Sequence, residues 1–275
     1  MSRRAPESEA AAILRECREA LAQRGTTVIH EVIGAGAAGG AAQGAAAEAV
    51  DWRHYPADEV YDPTSHAQYF YHRHSGEAIA RRQDAPPESG HFHLFLRGEG
   101  MPAGMTPLLL PEVAVAAAKA PPPRQSAPLK RGSRDEVCHL VAIALDGRGE
   151  PVRLFTTNRW VTGETWYRAD DVIGMLKRFR VGGEHPSALV NRWLGALVRL
   201  FAGDIAALLE ARDKAIQAYR WRWRSNVLED PRLEIPSSLA IDLDARLAAV
   251  ELDDGGVAAT SPARRPLRMA EGWGA

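Results

Sequence analysis

Five of the nine histidines in this 275-residue sequence lie between positions 66 and 97, and four of them form two pairs with His-x-His spacing. The pairs are His72 with His74 and His91 with His93. In a β-strand successive side chains point to opposite faces, so each pair places both imidazoles on one face. Neutral imidazole nitrogens are common ligands of divalent metals. The spacing therefore predicts a histidine-lined site on a sheet, with a metal ion as its first candidate occupant.

Two further histidines can extend this set. His139 lies in an apolar segment, and His66 precedes the first pair. Zinc or iron suits a site made of imidazoles, and three protein ligands leave a position open for water or substrate. The alternative is that these histidines form hydrogen bonds on a solvated sheet face and bind no ion. Both interpretations stay open at this point, and His139 by itself is more typical of a hydrogen-bonded core residue.

A second group of polar residues occupies the sequence TTNRWVTGETWY at positions 156–167. Glu164 can act as an acid, a base or a ligand, and Arg159 can bind a carboxylate or phosphate group, so both are catalytic candidates. The candidates for contacts with a substrate are Arg97, Asn158 and Tyr71. The competing interpretation is a structural pair of arginine and glutamate, because paired charges are commonly structural.

Hydrophobic periodicity predicts the elements that must position these residues. Strands are predicted at residues 67–74, 91–97, 137–146 and 152–161, helices at 7–24, 170–179 and 187–223 with a break near Gly203, and an edge strand within 227–243. Residues 91–97 alternate strictly, and 137–146 are apolar on both faces, as in a central strand. The predicted fold is α+β, with an antiparallel sheet of about four strands packed by C-terminal helices and preceded by an N-terminal helix.

Composition divides the chain into three parts. Residues 1–49 are predicted to form the N-terminal helix and a linker rich in alanine and glycine, residues 50–253 a single α+β domain, and residues 254–275 a disordered tail. The linker contains GAGAAG, which matches the glycine spacing of dinucleotide-binding loops but follows no convincing parallel strand. Prolines and aspartates in residues 51–63 predict an ordered loop leading into the domain.

The charges of the chain are balanced, with 34 basic and 35 acidic side chains and a net charge of -1. This balance gives no general electrostatic reason to bind nucleic acid or an anionic membrane, so we expect a small molecule or a protein as the partner. Two cysteines make no disulfide framework, and no apolar run approaches the roughly 18 residues of a membrane span. The sequence therefore predicts a cytoplasmic protein.

Four phrases of the sequence carry a family resemblance. They are HYPADEVYDP, SHAQYFYHRH, GHFHLFLR and TTNRWVTGETWY, and together they resemble a bacterial family of uncharacterised proteins, a domain of unknown function. The resemblance spans residues 50–240. It implies that this region is one domain, and it brings no established activity with it.

The leading functional prediction is a metal-dependent enzyme or a metal-binding protein that uses the histidine cluster, with zinc or iron as the expected ion. The alternative is a metal-free module that binds a small ligand or a protein through the same histidine, tyrosine and arginine side chains. One geometric requirement separates the two, because the histidine pairs must converge if they are to share an ion.

Overall fold

An antiparallel sheet and a layer of helices make up the part of the chain described by the computed structural model, which is residues 4–34, 53–73, 88–108, 110, 136–223, 226–254 and 267–269. The strands are β1 (His54–Tyr61), β2 (Ala67–Arg73), β3 (Gly90–Arg97), β4 (Val137–Leu145), β5 (Pro151–Thr156), β6 (Ser237–Ala240) and β7 (Arg268–Met269). The α-helices are α1 (Arg4–Gln23), α2 (Val28–Ile33), α3 (Arg159–Thr162), α4 (Ala169–Leu176), α5 (Ala188–Leu200), α6 (Ala202–Trp223) and α7 (Leu243–Asp254). The predicted α+β class is confirmed.

All of these strands belong to one sheet, in which they lie in chain order from β1 to β7 and pair antiparallel throughout. The prediction of about four strands is wrong in number, because the sheet has six strands of four to nine residues and a two-residue β7. The predicted strands correspond to β2–β5 at the centre of the sheet. The strand β6 lies within the segment 227–243 that was predicted to hold an edge strand, but it pairs on both sides, with β5 and β7. The strands that were not predicted, β1 and β7, lie at the two edges of the sheet, where short segments show little periodicity.

The segment predicted as an ordered loop at residues 51–63 contains the edge strand β1. Its pairing with β2 changes register between Tyr55 and Val60, and Pro56 interrupts it. A proline is tolerated on an edge strand because the N–H that it lacks has no neighbouring strand to bind. The same proline and the irregular register hide the strand from a search for alternating residues.

The strand predicted at 152–161 ends earlier than expected, at Thr156, and the helix α3 follows it. Asn158 caps this helix by accepting a hydrogen bond from the backbone N–H of Arg159 at 2.9 Å. Gly163 closes it in the left-handed conformation, with φ of 64°. Local capping therefore overrides the strand propensity of this segment.

The long helix predicted at 187–223 is two helices, α5 and α6. The break falls at Phe201, whose φ of -102° and ψ of 17° are not helical, two residues before the expected position at Gly203. The helix α7 was not predicted. Among the helices that the structure describes, none is both long enough and apolar enough to cross a bilayer.

The helices cover one face of the sheet. Residues on that face that are buried against helices include Tyr69, Tyr71, Phe92, Leu94 and Leu96. The helix α1 packs against α5 and α7 and contributes Leu14 and Cys17 to the same hydrophobic core. The N-terminal helix and the sheet therefore share one core. The predicted linker at 34–49 is described only at Gly34, and most of the predicted tail lies outside the described residues.

The first residue of β3, Gly90, lies so close to β2 that a side chain has no room. A methyl group on its Cα would overlap the carbonyl oxygen of His72 and the hydroxyl of Tyr71. We predict that Gly90→Ala lowers the free energy of unfolding by at least about 2 kcal/mol, because the two strands must separate to admit the methyl group. Urea denaturation measures this change.

The matched control is Gly203→Ala in α6, where a methyl group meets no atom within 4 Å. Alanine is a better helix former than glycine by up to about 1 kcal/mol, so this variant is expected to be as stable as the wild type or slightly more stable. Equal losses of stability in the two variants would contradict the close approach of β2 and β3 at Gly90.

Candidate metal centre

The sheet face opposite the helices carries a row of histidines from four neighbouring strands. The row consists of His54 on β1, His72 on β2, His91 and His93 on β3, and His139 on β4. The β2–β3 register places His72 opposite His91, and the imidazoles of His91 and His93 project from the same face. The distance between ring centroids is 4.5 Å from His54 to His72, 5.5 Å from His72 to His93, and 5.1 Å from His93 to His139.

Three of these imidazoles converge on one point. His72, His91 and His93 each offer a ring nitrogen such that the three nitrogens lie within 4.8 Å of one another. The Nε2 atoms of His91 and His93 are only 2.9 Å apart. His93 is 2% exposed and His91 is 9% exposed, whereas His72 is half-buried. Within the described residues no other group of three histidine, cysteine or acidic side chains converges in this way.

His139 reaches the histidine face because β4 contains one extra residue. Leu94 pairs with Val141, but the next residue of β3, Phe95, pairs with His139. Leu140 is therefore the additional residue of a β-bulge, which reverses the facing of the residues that precede it. Strict alternation along β4 would instead turn His139 toward the helices.

The ring of His139 connects the cluster to Thr157, the residue that follows β5. Its Nε2 lies 3.1 Å from Nδ1 of His93, and its Nδ1 lies 3.1 Å from the hydroxyl oxygen of Thr157. A hydrogen-bonded chain therefore runs from Thr157 through His139 to His93. Both ring nitrogens of His139 thus have hydrogen-bond partners, as expected for a buried histidine that binds no ion.

Two residues of this face, His54 and Glu59, are missed by sequence reasoning. The ring of His54 stacks on Phe70 at 3.8 Å between centroids, and its Nδ1 lies 2.7 Å from Oε1 of Glu59. Glu59 is 5% exposed and adopts a left-handed φ of 55°, which is uncommon for a residue other than glycine. The signal that could reveal them is weak, because their strand is irregular and their spacing matches no known motif.

Glu59 also begins a polar network along this face. Its second carboxylate oxygen accepts a hydrogen bond from Nε2 of Gln68, and Oε1 of Gln68 accepts one from Nε of Arg97 at 2.7 Å. Arg97 is 2% exposed. Buried polar groups need hydrogen-bond partners. These hydrogen bonds link Arg97 to His54 through Gln68 and Glu59.

Burial keeps the deepest histidines neutral. The pKa of His93 lies well below the usual value, because burial disfavours the imidazolium and charge on His91 or His139 would repel it. Burial lowers the pKa of His139 to about 3, with a further contribution from the positive charge of Arg212. A neutral imidazole retains an unprotonated nitrogen, which is the form that binds metal.

Glu164 contacts the backbone of β4 at His139. Its carboxylate accepts hydrogen bonds from the backbone N–H of His139 at 2.7 Å and from the hydroxyl of Thr162 at 3.3 Å. Burial raises the pKa of Glu164 to about 7, although the positive charge of Arg212 and these hydrogen bonds lower it. A carboxyl group that titrates near neutral pH has the property required of a general acid or base.

Three of the residues predicted for catalysis or substrate binding have other partners. Arg159 donates from Nε to Glu229 at 2.6 Å, and Asn158 donates to two backbone carbonyls in the segment 227–233. Tyr71 belongs to the core under the helices, on the opposite face from the histidines. The structure therefore does not bring these three residues into the cluster.

Two further candidate ligands, His66 and His74, are not seen among the described residues of the cluster. His74 lies outside the described residues. His66 precedes β2 and its Nδ1 lies 2.6 Å from the hydroxyl of Tyr61, at the far end of that strand from His72. His66 is therefore not part of the cluster.

A family model described as a domain of unknown function, DUF6969, matches residues 8–241. The chain belongs to the DUF6969 family. The match begins in α1 and ends after β6, so in this DUF6969 protein it includes the whole histidine row. The bacterial origin suggested by the sequence phrases stays a prediction. Comparison with curated proteins and with solved structures gave no match.

The buried carboxyl group of Glu164 predicts a pH dependence of stability. Its pKa rises from the ordinary 4.5 to about 7 on folding, so between these pH values the folded protein binds more protons than the unfolded chain. The protonated carboxyl group of Glu164 contributes its full stabilisation below pH 4.5, and this contribution is lost as the pH rises through 7. We predict that Glu164→Gln is more stable than the wild type at pH 8 by up to about 3 kcal/mol, and that this gain disappears near pH 4.5.

Urea denaturation of metal-free protein at several pH values tests this expectation. The exposed Glu210→Gln on α6 removes the same charge and is the control. A stability difference between Glu164→Gln and the wild type that is independent of pH would contradict the raised pKa of Glu164.

Proposed function

We propose that this DUF6969 protein binds one divalent metal ion through His72, His91 and His93. The observation that carries the proposal is the convergence of one ring nitrogen from each residue within 4.8 Å. Ligand nitrogens bound at 2.0–2.1 Å to one ion are at most about 4.2 Å apart. Closing the widest pair therefore takes a shift of at most about 0.6 Å if its two nitrogens lie on opposite sides of the ion, and of at most about 1.5 Å in a tetrahedral site. Rotations of the side chains can supply either shift.

The distance between the Nε2 atoms of His91 and His93 supports the same ion position. Two nitrogens at about 2.05 Å from one ion are about 2.9 Å apart when they subtend 90°, and about 3.3 Å apart in a tetrahedral site. The observed separation is 2.9 Å. It suits iron with more than four ligands, and a small opening of the pair suits tetrahedral zinc.

Three protein ligands leave room for chemistry at the ion. An open position can hold water or substrate, and a bound divalent ion lowers the pKa of its water and polarises carbonyl or phosphoryl groups. We therefore favour a metal-dependent enzyme. Among the residues predicted for catalysis or substrate binding, the proposal retains Glu164, which contacts His139, and Arg97, which lies on the histidine face.

The decisive experiment is elemental analysis of the purified protein. The wild type is compared with His91→Ala/His93→Ala and with the control His30→Ala/His185→Ala, which removes two histidines outside the row. We expect about one zinc or iron ion per chain in the wild type and the control, and none in the first variant. Circular dichroism establishes that each variant is folded.

Two results would reject the proposal. One is a wild type that holds no metal even after incubation with zinc or iron. The other is a folded His91→Ala/His93→Ala variant that retains the ion. In either case the search would turn to ligands of a metal-free site.

The hydrogen bonds of His139 give it a defined role in this site. With Nε2 of His93 on the ion, Nδ1–H of His93 donates to His139 Nε2, and Nδ1–H of His139 donates to the hydroxyl of Thr157. Such outer partners fix the tautomer and the orientation of a ligand. His139 therefore positions His93 without binding the ion itself.

We predict that His139→Leu weakens metal affinity by about 10- to 100-fold while all three ligands remain. Competition with a chelator of known affinity measures the change. The control is His185→Leu, at an exposed histidine. A folded His139→Leu variant with unchanged affinity would show that His139 has no positioning role.

A metal-free binding module is the second candidate, and one contact favours it. The Nε2 atoms of His91 and His93 can share a hydrogen bond at 2.9 Å, one as donor and the other as acceptor, so the pair is stable without an ion. The histidine, tyrosine and arginine side chains would then bind a small molecule or a protein. The elemental analysis separates this candidate from the first.

For both candidates we propose a cytoplasmic protein that acts on a small molecule or a protein. The proposal rests on two buried free cysteines, Cys17 and Cys138, and on the balanced charge of the chain. Binding of nucleic acid is not expected from a net charge of -1.

A further inference from the structure

We propose that an open depression at the other end of the β2–β3 pair binds the phosphate group of a small molecule. Its volume is about 370 Å³, within the usual range for small-molecule sites. Three walls surround it: the loop 64–66 before β2, the turn 99–100 after β3, and the segment 177–180 after α4. This phosphate site is separate from the metal centre and does not depend on it.

The charges of the walls favour an anion. Lys177, Arg178 and Arg180 line the depression, and Glu99 is the one carboxylate among the lining residues. Basic residues at the end of a helix commonly complement its dipole, which accounts for Lys177 and Arg178. Arg180 lies beyond the last turn of α4, so the helix dipole does not explain it. Lysine and arginine are the usual partners of phosphate oxygens.

Hydrogen bonds between the walls hold the depression open in one shape. The carboxylate of Asp62 accepts from the backbone N–H of Gly182 at 2.6 Å and from the N–H groups of Thr64 and Ser65. The hydroxyl of Ser65 donates to the carbonyl of Arg180. These contacts join the loop 64–66 to the segment after α4. The carboxylate of Asp62 is thus bound to backbone N–H groups of two of the walls.

The third wall is joined to the other two. Nη1 of Arg178 donates to the carbonyl of Gly100 at 3.3 Å. A methyl group at Gly100 would lie 2.5 Å from the carbonyl oxygen of Ser65, so the turn and the loop approach each other more closely than any side chain permits. His66 in this loop has a left-handed φ of 60°, a backbone conformation that is often retained at functional sites.

The phosphate site and the metal centre lie at opposite ends of β2. His72 is six positions after His66, which corresponds to about 20 Å along an extended strand. A change in the phosphate site should therefore leave the metal content of the protein unchanged. The two proposals can succeed or fail independently.

The test is an isothermal calorimetric titration of the full chain with inorganic phosphate at constant ionic strength. We expect saturable binding with a Kd of about 1 mM or tighter for the wild type. In Lys177→Glu/Arg180→Glu the affinity should fall at least about tenfold, because two cations become carboxylates. In Glu99→Gln it should rise, because the opposing carboxylate is removed.

The matched control is Arg24→Glu/Lys214→Glu, which makes the same change in net charge at two exposed positions outside the depression. This variant should bind phosphate as the wild type does. Equal weakening in both double variants would show that phosphate responds only to the overall charge, and this would overturn the site.

Two further outcomes would also overturn the proposal. One is the absence of saturable phosphate binding by the folded wild type. The other is acetate binding as tight as phosphate binding, which would show that the site does not select phosphate. Circular dichroism of Lys177→Glu/Arg180→Glu shows whether this variant is folded, and unchanged phosphate affinity in the folded variant would likewise overturn the site.

Discussion

The pairing register of β2 with β3 is the constraint on which the histidine face depends. It places His72 opposite His91 and brings both beside His93. A slip of one residue would turn the β2 histidine toward the helices and expose the side chains now packed beneath them. Fully buried residues such as Tyr69 and Phe92 oppose this slip, because burying each large apolar side chain is worth about 1.5–3 kcal/mol. The apolar face therefore fixes the position of the polar one.

Alternation along β3 could be read from the sequence because a period of two depends on the strand alone. Phe92 and Leu94 face the helices, so His91 and His93 must share the other face. The same reasoning assigns His72, and continuous apolar character correctly predicts β4 as a central strand. The helix α3 had a signal in the sequence, because Asn158 is a favoured residue at the start of a helix. The strand propensity of the residues around it concealed that signal.

His139 was a candidate from the sequence, but its facing and the place of His54 in the row could not be predicted, for two physical reasons. The bulge at Leu140 determines the facing of His139, and nothing distinguishes the extra residue in an apolar run. The other reason is the irregular course of β1, whose proline is typical of a loop and conceals the pairing of His54 with Glu59. The bulge in β4 and the irregular register of β1 both arise from pairing between strands, which the periodicity of a single segment does not reveal.

All three proposed ligands come from residues 72–93, on two strands that are neighbours in the chain. Contacts between positions close in sequence lose little entropy on forming, whereas the pairing of Thr156 with Ser237 must close a loop that contains the four helices α3–α6. We therefore expect the cluster to assemble as soon as this one hairpin closes, before β6 pairs with β5. An ion available during synthesis would then act first as a nucleus for folding, holding two strands together while the helices that bury them are still being made.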